Sequence, residues 1–398
     1  MNHPLLARLR RELFASRLDG LISLVLIGVL LAGGMALVKW MLFQAQWAVI
    51  QANSTLFAVG RYPLDQQWRL WLITTLLAMA TGLSWGFLRA GQWPWPRNDR
   101  LAATLLVVVV LLAPLALGLQ PAIQLRWWLI GAALLGCRWG AGIWGAQSPA
   151  WLLRLVPLIW PALYLGGMVL INGGLGLTTV STSEWGGLLL TLVCASFAIL
   201  LCFPLGVLLA LGRRSGLPLL RWVSVAYIEF IRGAPLITLL FLGQNILGFL
   251  LPGGMAPDRV WRAAWVLTFF AAAYVAEAVR SGLASVPAGQ LEAARSLGLP
   301  LHQALIHVVL PQALRVALPA TVGQFISLLQ DTTLLSLIGL LDLLGTARTV
   351  MANPEFLGRN AEVYLVLAVL FWSCCAALGL GSRALENRLN PHHSSTKA

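Results

Sequence analysis

Long apolar runs recur along the whole chain, and they predict helices that cross a membrane. Stretches of roughly 20 residues with few or no charges are long enough to span a hydrocarbon core about 30 Å thick. Backbone groups inside lipid must find partners within their own segment, so these runs form helices. We therefore predict an all-α integral membrane protein with about ten spans. The predicted spans are 20–42, 68–88, 101–119, 127–146, 155–172, 187–211, 234–251, 262–283, 315–338 and 362–382.

The fourth predicted span differs from the others because Arg138 lies in its middle. A charge at the centre of a bilayer costs at least about 2.5 kcal/mol on insertion scales. This helix is therefore expected to face protein or to lie at the membrane interface.

Composition and charge support a membrane protein and argue against a nucleic-acid partner. Hydrophobic residues make up 59% of the chain, and charged residues make up only 10%. The formal net charge is +13, but the basic residues stand in short segments between apolar runs. A nucleic-acid surface would need them clustered in one patch. The lipid bilayer is the expected partner, and no nucleic acid is expected.

The distribution of arginine predicts the orientation of the chain. Arg8, Arg10 and Arg11 precede the first span, and Arg213 and Arg214 follow the sixth. Because cytoplasmic loops carry such an excess of basic residues, both termini are predicted to be cytoplasmic. The first apolar stretch is longer than a signal-peptide core, and we expect it to be retained as a membrane helix.

The chain divides near residue 184. Residues 1–184 form a predicted N-terminal transmembrane extension of about five helices. Residues 185–385 hold five further spans with longer cytoplasmic loops. Residues 386–398 form a predicted cytoplasmic tail. The loop at 284–314 is far longer than most connections, which suggests a structured element that docks another protein.

The sequence of this loop predicts a helix, a break and a second helix. Residues 290–297 are good helix formers, and Glu292 stands near the start, where the helix dipole favours an acid. Gly298 is a natural C-terminal stop, and Pro300 prevents simple continuation of the helix.

Six residues of the loop have a specific spacing: Glu292, Ala293, Ala294, Gly298, Leu310 and Pro311. This spacing resembles the EAA loop of ATP-binding-cassette (ABC) importer permeases, with Val308 where that family usually has Ile. In the family, the loop forms a coupling helix that inserts into a groove on the ATPase subunit. The resemblance therefore implies that these six residues couple the chain to an ATPase.

Three further segments narrow the resemblance. Trp185–Thr191, Tyr227–Pro235 and Ala273–Arg280 are similar to the histidine- and glutamine-type permeases for polar amino acids. The similar region covers about residues 185–385 and implies a five-helix type I ABC importer permease core there. The N-terminal half resembles the extended permeases of general L-amino-acid importers, which work as unlike pairs.

The resemblance implies a bacterial inner-membrane permease that imports polar amino acids by alternating access. The implied partners are two ATPase subunits, a second and different permease subunit, and a periplasmic amino-acid-binding protein. A Walker A loop needs a Lys followed by Ser or Thr, whereas the two lysines of this chain precede Trp40 and Ala398. ATP and Mg²⁺ are therefore expected on separate ATPase subunits, and no cofactor or catalytic residue is expected in this chain.

Glu277 and Arg280 are three residues apart on one face of the eighth predicted span. An ion pair between neighbours, or an arginine that reaches the interface, explains them structurally. Ionisable groups inside a membrane are also functional candidates, so Glu277 is a candidate for the substrate pathway or for a gate. Both interpretations stay open.

A polar cluster interrupts the ninth predicted span and is expected in the outer half of the bilayer. Capping of a new helix segment is the structural interpretation, and contact with the ammonium group of an amino acid is the functional one. Similar permeases usually have Lys in place of the cluster's glutamine and Asn where Gly323 stands, so these two positions do not support the detailed specificity of relatives. The cluster comprises Gln330, Asp331, Thr332 and Thr333.

Other functions receive less support. His302 and His307 lack a Cys or carboxylate at ligand spacing, so we expect polar-face residues and no metal site. An ion-coupled secondary amino acid transporter would need broken helices with ion ligands in both halves, and the two halves here are unlike. A membrane-embedded enzyme would need converging acids, bases or metal ligands, which are sparse in this chain.

Overall fold

The computed structural model of the protein describes residues 16–88, 97–116, 118, 120–145, 147–148, 150–174, 176–250 and 257–389. These ranges fold almost entirely into helices and contain no β-strand, which confirms the predicted all-α fold. Short 3₁₀ helices cover Leu64–Gln66, Thr182–Glu184, Thr332–Ile338 and Pro354–Phe356. The α-helices are α1 (Arg17–Phe43), α2 (Ala48–Val59), α3 (Gln67–Leu88), α4 (Arg97–Ala116), α5 (Pro121–Trp144), α6 (Ala150–Asn172), α7 (Gly187–Arg213), α8 (Pro218–Gly233), α9 (Leu236–Leu250), α10 (Arg259–Ser285), α11 (Ala288–Ser296), α12 (Leu301–Ala304), α13 (Leu310–Asp331), α14 (Leu343–Met351) and α15 (Asn360–Leu389).

A helix lies at each of the ten predicted spans. Within the described ranges, seven helical segments are long and apolar enough to cross a membrane: α1, α3, α6, α7, α10, α15 and the continuous segment Leu301–Ile338. The bent pair of α8 and α9 makes eight if these two helices form one span. Helix α15 continues to Leu389, so the predicted tail at 386–398 starts within it, and its residues 390–398 lie outside the described ranges.

Helices α4 and α5 lie at the third and fourth predicted spans. The described side chains of α4 include the apolar stretch Ala102–Leu112, and α5 carries Arg126 and Arg138. The side chain of Arg138 is 1% exposed, and its guanidinium lies 4.4 Å from the ring centre of Trp85. Protein therefore encloses this charge, as we expected for an arginine in the middle of a helix.

The span predicted at 234–251 corresponds to α9, Leu236–Leu250. Helix α8 ends at Gly233, and the chain bends by 108° before α9 begins at Leu236. Pro235 lies at this break, and a proline disfavours helical geometry in the preceding residue. Ala234 accordingly has ψ of 138°. The shorter helices α2, α8 and α14 were not predicted because their length is below that of a membrane span.

The chain forms two compact units, residues 1–49 and 50–398. In the first unit, α1 begins at an N-cap where the Ser16 hydroxyl oxygen accepts a hydrogen bond from the amide of Asp19 at 3.1 Å. After α1, the indole Nε1 of Trp47 donates to the carbonyl of Met41 at 3.0 Å, and its ring packs edge-on against Trp40. These contacts fix the turn that follows the first span.

Helices α7 and α10 form the centre of the second unit through small side chains. A Cβ atom added to Gly206 of α7 would lie 2.6 Å from Cγ1 of Val275 and 3.0 Å from the carbonyl of Ala272. Both Val275 and Ala272 are completely buried. Such close approach is typical of helices in lipid, where packing and hydrogen bonding hold them together.

The N-terminal part of the second unit is also closely packed. Helices α3 and α5 touch at Gly82, where a Cβ would lie 2.2 Å from the carbonyl of Leu134. The buried guanidinium of Arg69 donates to the carbonyl and the hydroxyl of Thr178, both at 2.9 Å. These bonds attach the segment between α6 and α7 to α3.

Candidate coupling loop and polar membrane sites

The loop between α10 and α13 has the predicted helix–break–helix geometry. At the end of α11, the amide of Gly298 donates to the carbonyl of Arg295 at 2.9 Å, and the amide of Leu299 donates to Ala294 at 3.2 Å. Gly298 has a φ of +84°, a left-handed conformation that glycine adopts without a steric penalty. Pro300 then precedes α12.

Helix α11 presents different side chains to the protein and to the solvent. Ala294 is buried, whereas Glu292 and Ala293 are exposed. Beyond the helix, the side chain of Leu297 is 84% exposed and that of Leu301 is 54% exposed. Leu297 lies before the candidate span Leu301–Ile338, and Leu301 is its first residue. They suit the apolar centre of a contact with another protein.

The second half of the loop carries Leu310 and Pro311 and is irregular. Leu305–Val309 form a π-helix, and Pro311 in the first turn of α13 has no amide to donate. Gln312 adds a side-chain bond here, in which its Nε2 donates to the carbonyl of Val308 at 2.9 Å. The same Nε2 lies 3.3 Å from Oε1 of Gln290 on α11. A side-chain contact thus joins the two halves of the loop.

A close helix contact anchors both ends of the loop. Near the end of α10, a Cβ added to Gly282 would lie 2.3 Å from the carbonyl of Ala313 and 3.0 Å from the Cβ of Ala317. Ala313 and Ala317 are both buried. Helices α10 and α13 therefore meet backbone to backbone at the base of the loop. A force applied to the loop is transmitted to both helices because no side chains separate them.

The two histidines of the loop are not arranged as a metal site. His302 and His307 are exposed, and Nδ1 of His307 lies 3.1 Å from the carbonyl of Gln303 in the preceding turn. Across the described ranges, no group of three or more His, Cys, Asp and Glu side chains could hold a metal ion.

Glu277 lies at the centre of an ion-pair cluster that joins three helices. Its Oε1 accepts a hydrogen bond from Arg213 of α7 at 2.7 Å, and its Oε2 accepts one from Arg280 of α10 at 2.9 Å. The guanidinium of Arg232, at the end of α8, lies 3.7 Å away. Arg213 also pairs with Glu229 at 3.1 Å. The pair with Arg280 that the sequence predicted is present, but it is one of three.

This cluster favours a structural role for Glu277 over direct contact with substrate. Three arginines against two glutamates leave one net positive charge. The Glu277 side chain is only 16% exposed, whereas that of Arg280 is 43% exposed. A carboxylate held by three guanidinium groups is poorly placed to bind the ammonium group of an amino acid.

The polar cluster at 330–333 lies where α13 gives way to a 3₁₀ helix. The hydroxyl of Thr332 donates to the carbonyl of Leu329 at 2.6 Å, and that of Thr333 donates to Gln330 at 2.8 Å. These bonds satisfy carbonyls at the end of a helix. The sequence interpretation, in which the threonines cap the start of a new segment, is wrong. Asp331 is half-buried as the last residue of α13.

The structure does not bring Glu277 and the 330–333 cluster into one site. Asp331 is at the opposite end of α13 from the loop, roughly 30 Å from the first residue of that helix at 1.5 Å per residue. Glu277 lies in the last third of α10, about 12 Å along the helix from the loop. The two candidates therefore lie at different depths.

The sequence analysis missed Asp342, which is completely buried at the start of α14. Its carboxylate accepts hydrogen bonds from the amides of Leu344 at 3.1 Å and Gly345 at 3.0 Å. Burial raises the pKa of Asp342 to about 7, although those two amides and Arg348 act in the opposite direction. An aspartate directly before an apolar helix is an N-cap signal that could have identified it.

Comparison with known proteins adds to this geometry. The profile of the family "Binding-protein-dependent transport system inner membrane component" matches residues 202–391, which include the loop and the Glu277 cluster. The glutamate/glutamine/aspartate/asparagine transport system permease protein BztC of Rhodobacter capsulatus is 35% identical over 378 residues, 88% of this chain and 80% of that protein. The chain belongs to the amino-acid ABC transporter permeases.

Other similarities to the permease extend over different parts of the chain. The inner membrane amino-acid ABC transporter permease protein YhdY of Escherichia coli is 35% identical over 352 residues, 86% of this chain and 93% of that protein. The crystal structure of an amino acid ABC transporter with histidines aligns with a TM-score of 0.46 and 32% identity, covering 51% of this chain and 92% of that one. The resemblance of the extended N-terminal half to known permeases is thus confirmed by BztC and YhdY.

The permease is a transport subunit of the inner membrane. Its family membership gives no support to the alternative function, an ion-coupled secondary transporter. The sequence did not predict three residues of these sites: Leu297 of the loop surface, and Arg213 and Arg232, the partners of Glu277. Nothing in the local sequence pairs Glu277 with arginines of α7 and α8, because those contacts depend on tertiary packing. Leu297 is one of several leucines in this loop, so composition alone does not single it out, and its exposure is seen only in the structure.

Proposed function

We propose that this permease imports polar amino acids, and that its loop at 284–314 couples transport to a separate ATPase subunit. One observation carries the proposal: a strongly exposed Leu297 directly follows the short helix α11, and the helices on either side of the loop meet backbone to backbone at Gly282 and Ala313. An apolar contact surface on a rigid base is what a partner needs to push a membrane helix.

The coupling surface combines apolar and charged groups. Leu297 and Leu301 supply the apolar centre, and the small Ala293 allows close approach to α11. Glu292 adds an exposed negative charge beside them. Gly298, Leu310 and Pro311 shape the loop that presents this surface. ATP-driven closure of the ATPase subunits moves the loop, and α10 and α13 then rock between outward-open and inward-open states.

The proposed assembly contains two ATPase subunits, a second and different permease subunit, and a periplasmic amino-acid-binding protein. ATP and Mg²⁺ bind to the ATPase subunits. The similarity to extended permeases of unlike pairs supports a different second permease. The excess of basic residues on one side of the membrane supports cytoplasmic termini, and it supports a coupling loop on the same side as the ATPase.

The substrate class is supported by the relatives and by the pathway candidates. BztC is a permease for glutamate, glutamine, aspartate and asparagine. In this chain, the hydroxyls of Thr332 and Thr333 donate to their own helix. We therefore assign substrate contact at this level to Gln330 and Asp331, and we assign to Glu277 the role of a latch that joins α7, α8 and α10.

A photo-crosslinking amino acid at position 297 tests the coupling proposal in the assembled transporter. Leu297 is 84% exposed in the loop, and Leu357, 75% exposed between α14 and α15, is the matched control on the opposite membrane face. We expect a crosslink to the ATPase from position 297 and none from position 357. A crosslink from position 357, or none from position 297 in an active complex, would contradict the proposal.

Competition for uptake tests the substrate class. In cells that produce the complete transporter, an excess of unlabelled glutamate, glutamine, aspartate or asparagine is expected to suppress uptake of labelled glutamate. An excess of leucine is expected to leave uptake unchanged. An apolar side chain cannot form the hydrogen bonds that the polar groups of the pathway need when they lose contact with water. Uptake that only leucine suppresses would exclude polar amino acids as the substrate class.

A further inference from the structure

The N-terminal half touches the permease core through bare backbone at a small junction. Gly60 forms a backbone bridge with Trp185, and a Cβ added to Gly60 would lie 2.4 Å from Cα of Gly186. A Cβ added to Gly187 would lie 2.3 Å from the carbonyl of Phe57. Gly60 and Gly187 both have positive φ, +67° and +57°, which glycine alone adopts readily. The contact therefore leaves no room for a side chain.

The opposite side of this junction contacts the segment that leads into α14. The amide of Gly187 donates to the carbonyl of Leu341 at 2.9 Å and lies 3.2 Å from the hydroxyl oxygen of Thr346. A Cβ added to Gly186 would lie 3.0 Å from that same Leu341 carbonyl. Gly186 and Gly187 thus stand between the end of α2 and the start of α14.

Buried hydrogen bonds continue from the junction into α14. The hydroxyl of Thr191 donates to the carbonyl of Gly187 at 3.1 Å and accepts from the amide of Leu343 at 3.0 Å. Trp185 is 2% exposed, and its ring packs edge-on against Trp261 of α10 at 6.2 Å between ring centres. The layer between α2 and α14 is therefore fixed to the core.

Helix α14 lies on the membrane face opposite the coupling loop, because the span Leu301–Ile338 separates the two. We propose that the N-terminal half of this permease is a brace for that face, in which residues 56–60 hold the start of α14 in place through Gly186 and Gly187. Backbone-to-backbone contacts resist sliding because they contain no rotatable side chains. The relevance to transport rests on the proposed function, in which this face receives the substrate.

Hydrogen exchange of the full chain in its assembled complex tests the brace. Gly60→Ala forces apart the backbones at the junction. Gly176→Ala is the matched control, because Gly176 has a similar φ of +79° but nothing within 4 Å of an added Cβ. We expect Gly60→Ala to lower the exchange protection of the Gly187 and Leu343 amides by at least about tenfold. Gly176→Ala should leave that protection unchanged.

Amides of the coupling loop serve as an internal reference, because they show whether Gly60→Ala acts only at the junction or on the whole protein. In Gly60→Ala, the amides of Leu297 and Leu299 should keep their protection, because they lie at the opposite face. Unchanged protection at Gly187 and Leu343, or an equal loss at the coupling loop, would overturn the brace. Uptake is not measured in this experiment, so its result is independent of the proposed substrate and of the ATPase coupling.

The wild-type chain gives a second test if Gly60→Ala does not fold. A brace predicts that the amides of Gly60, Gly187 and Leu343 open together, with protection factors equal within about threefold, as members of one cooperative unit do. Protection of Gly187 and Leu343 that exceeds that of Gly60 by more than about tenfold would show that α14 is held without the N-terminal half.

Discussion

The carboxylate of Glu277 lies 2.7 Å from the guanidinium of Arg213, although 64 positions separate the two residues in the chain. This pair joins α10 to the end of α7, and Arg232 extends the cluster to the end of α8. Three helices are thus connected by charge near the end of α10 that leads into the coupling loop.

Replacing Glu277 by Gln is expected to destabilise the permease. The variant leaves three guanidinium groups without their shared carboxylate, and because the arginines are partly exposed we expect a loss of roughly 1–3 kcal/mol. Glu229→Gln is the control, since Glu229 is 56% exposed and pairs with Arg213 alone in this cluster. Its loss should stay below about 1 kcal/mol. Thermal unfolding in detergent measures both, and equal midpoints for the two variants would contradict the latch.

Asp342 is expected to make stability depend on pH. Its pKa in the folded chain is about 7, above the ordinary value near 3.9 for an aspartate. The folded state therefore holds the proton more tightly than the unfolded state. Its contribution to stability is full below about pH 4 and is lost as pH rises to about 7.

Asp342→Asn tests this dependence and keeps one of the two capping oxygens, because the second becomes an NH2 group. Asparagine caps a helix about as well as aspartate, and it cannot ionise. The variant should gain stability relative to the wild type between pH 5 and pH 8, as followed by thermal unfolding at each pH. A difference between the two proteins that does not change over this range would show that Asp342 does not titrate there.

Two glycine-to-alanine substitutions in α10 and α13 should differ in their effect on stability and uptake. Gly282→Ala places a Cβ 2.3 Å from the carbonyl of Ala313 and must push α10 and α13 apart. Gly323→Ala meets nothing within 4 Å, and alanine favours a helix over glycine by up to about 1 kcal/mol. We expect lower thermal stability and uptake for the first variant and no loss for the second. Wild-type uptake by Gly282→Ala would contradict the close contact.

The sequence predicted the features that depend on local composition. Apolar runs located the membrane helices, and Gly298 followed by Pro300 located the end of α11. Features that depend on distant residues were not predicted. Glu277 was paired with Arg280 because the two are neighbours on one helix, whereas Arg213 and Arg232 approach it only after three helices have packed.

Other errors have local physical reasons. Helix α8 before Pro235 was not predicted because Glu229 and Arg232 interrupt the apolar pattern there and leave no stretch of span length. The threonines at 332 and 333 were read as caps for a following helix, but their hydroxyls bond backwards to carbonyls of α13. Asp342 was overlooked because its helix is too short for a span.

The central claim is that the loop at 284–314 transmits ATP hydrolysis into the membrane helices. The left-handed conformation of Gly298 ends α11 and sets the direction in which the chain continues to Pro300, and a β-branched residue is strongly disfavoured there. Gly298→Val therefore tests the claim. Gly358→Val is the control, because Gly358 has a φ of +83° and open space around it but lies on the opposite membrane face.

The decisive measurement is the number of amino acid molecules imported per ATP hydrolysed, in liposomes that contain the complete transporter. We predict that Gly298→Val lowers this ratio at least about tenfold, which is within the range of typical coupling between two sites. Gly358→Val should keep the ratio within about twofold. A wild-type ratio in Gly298→Val would contradict the account.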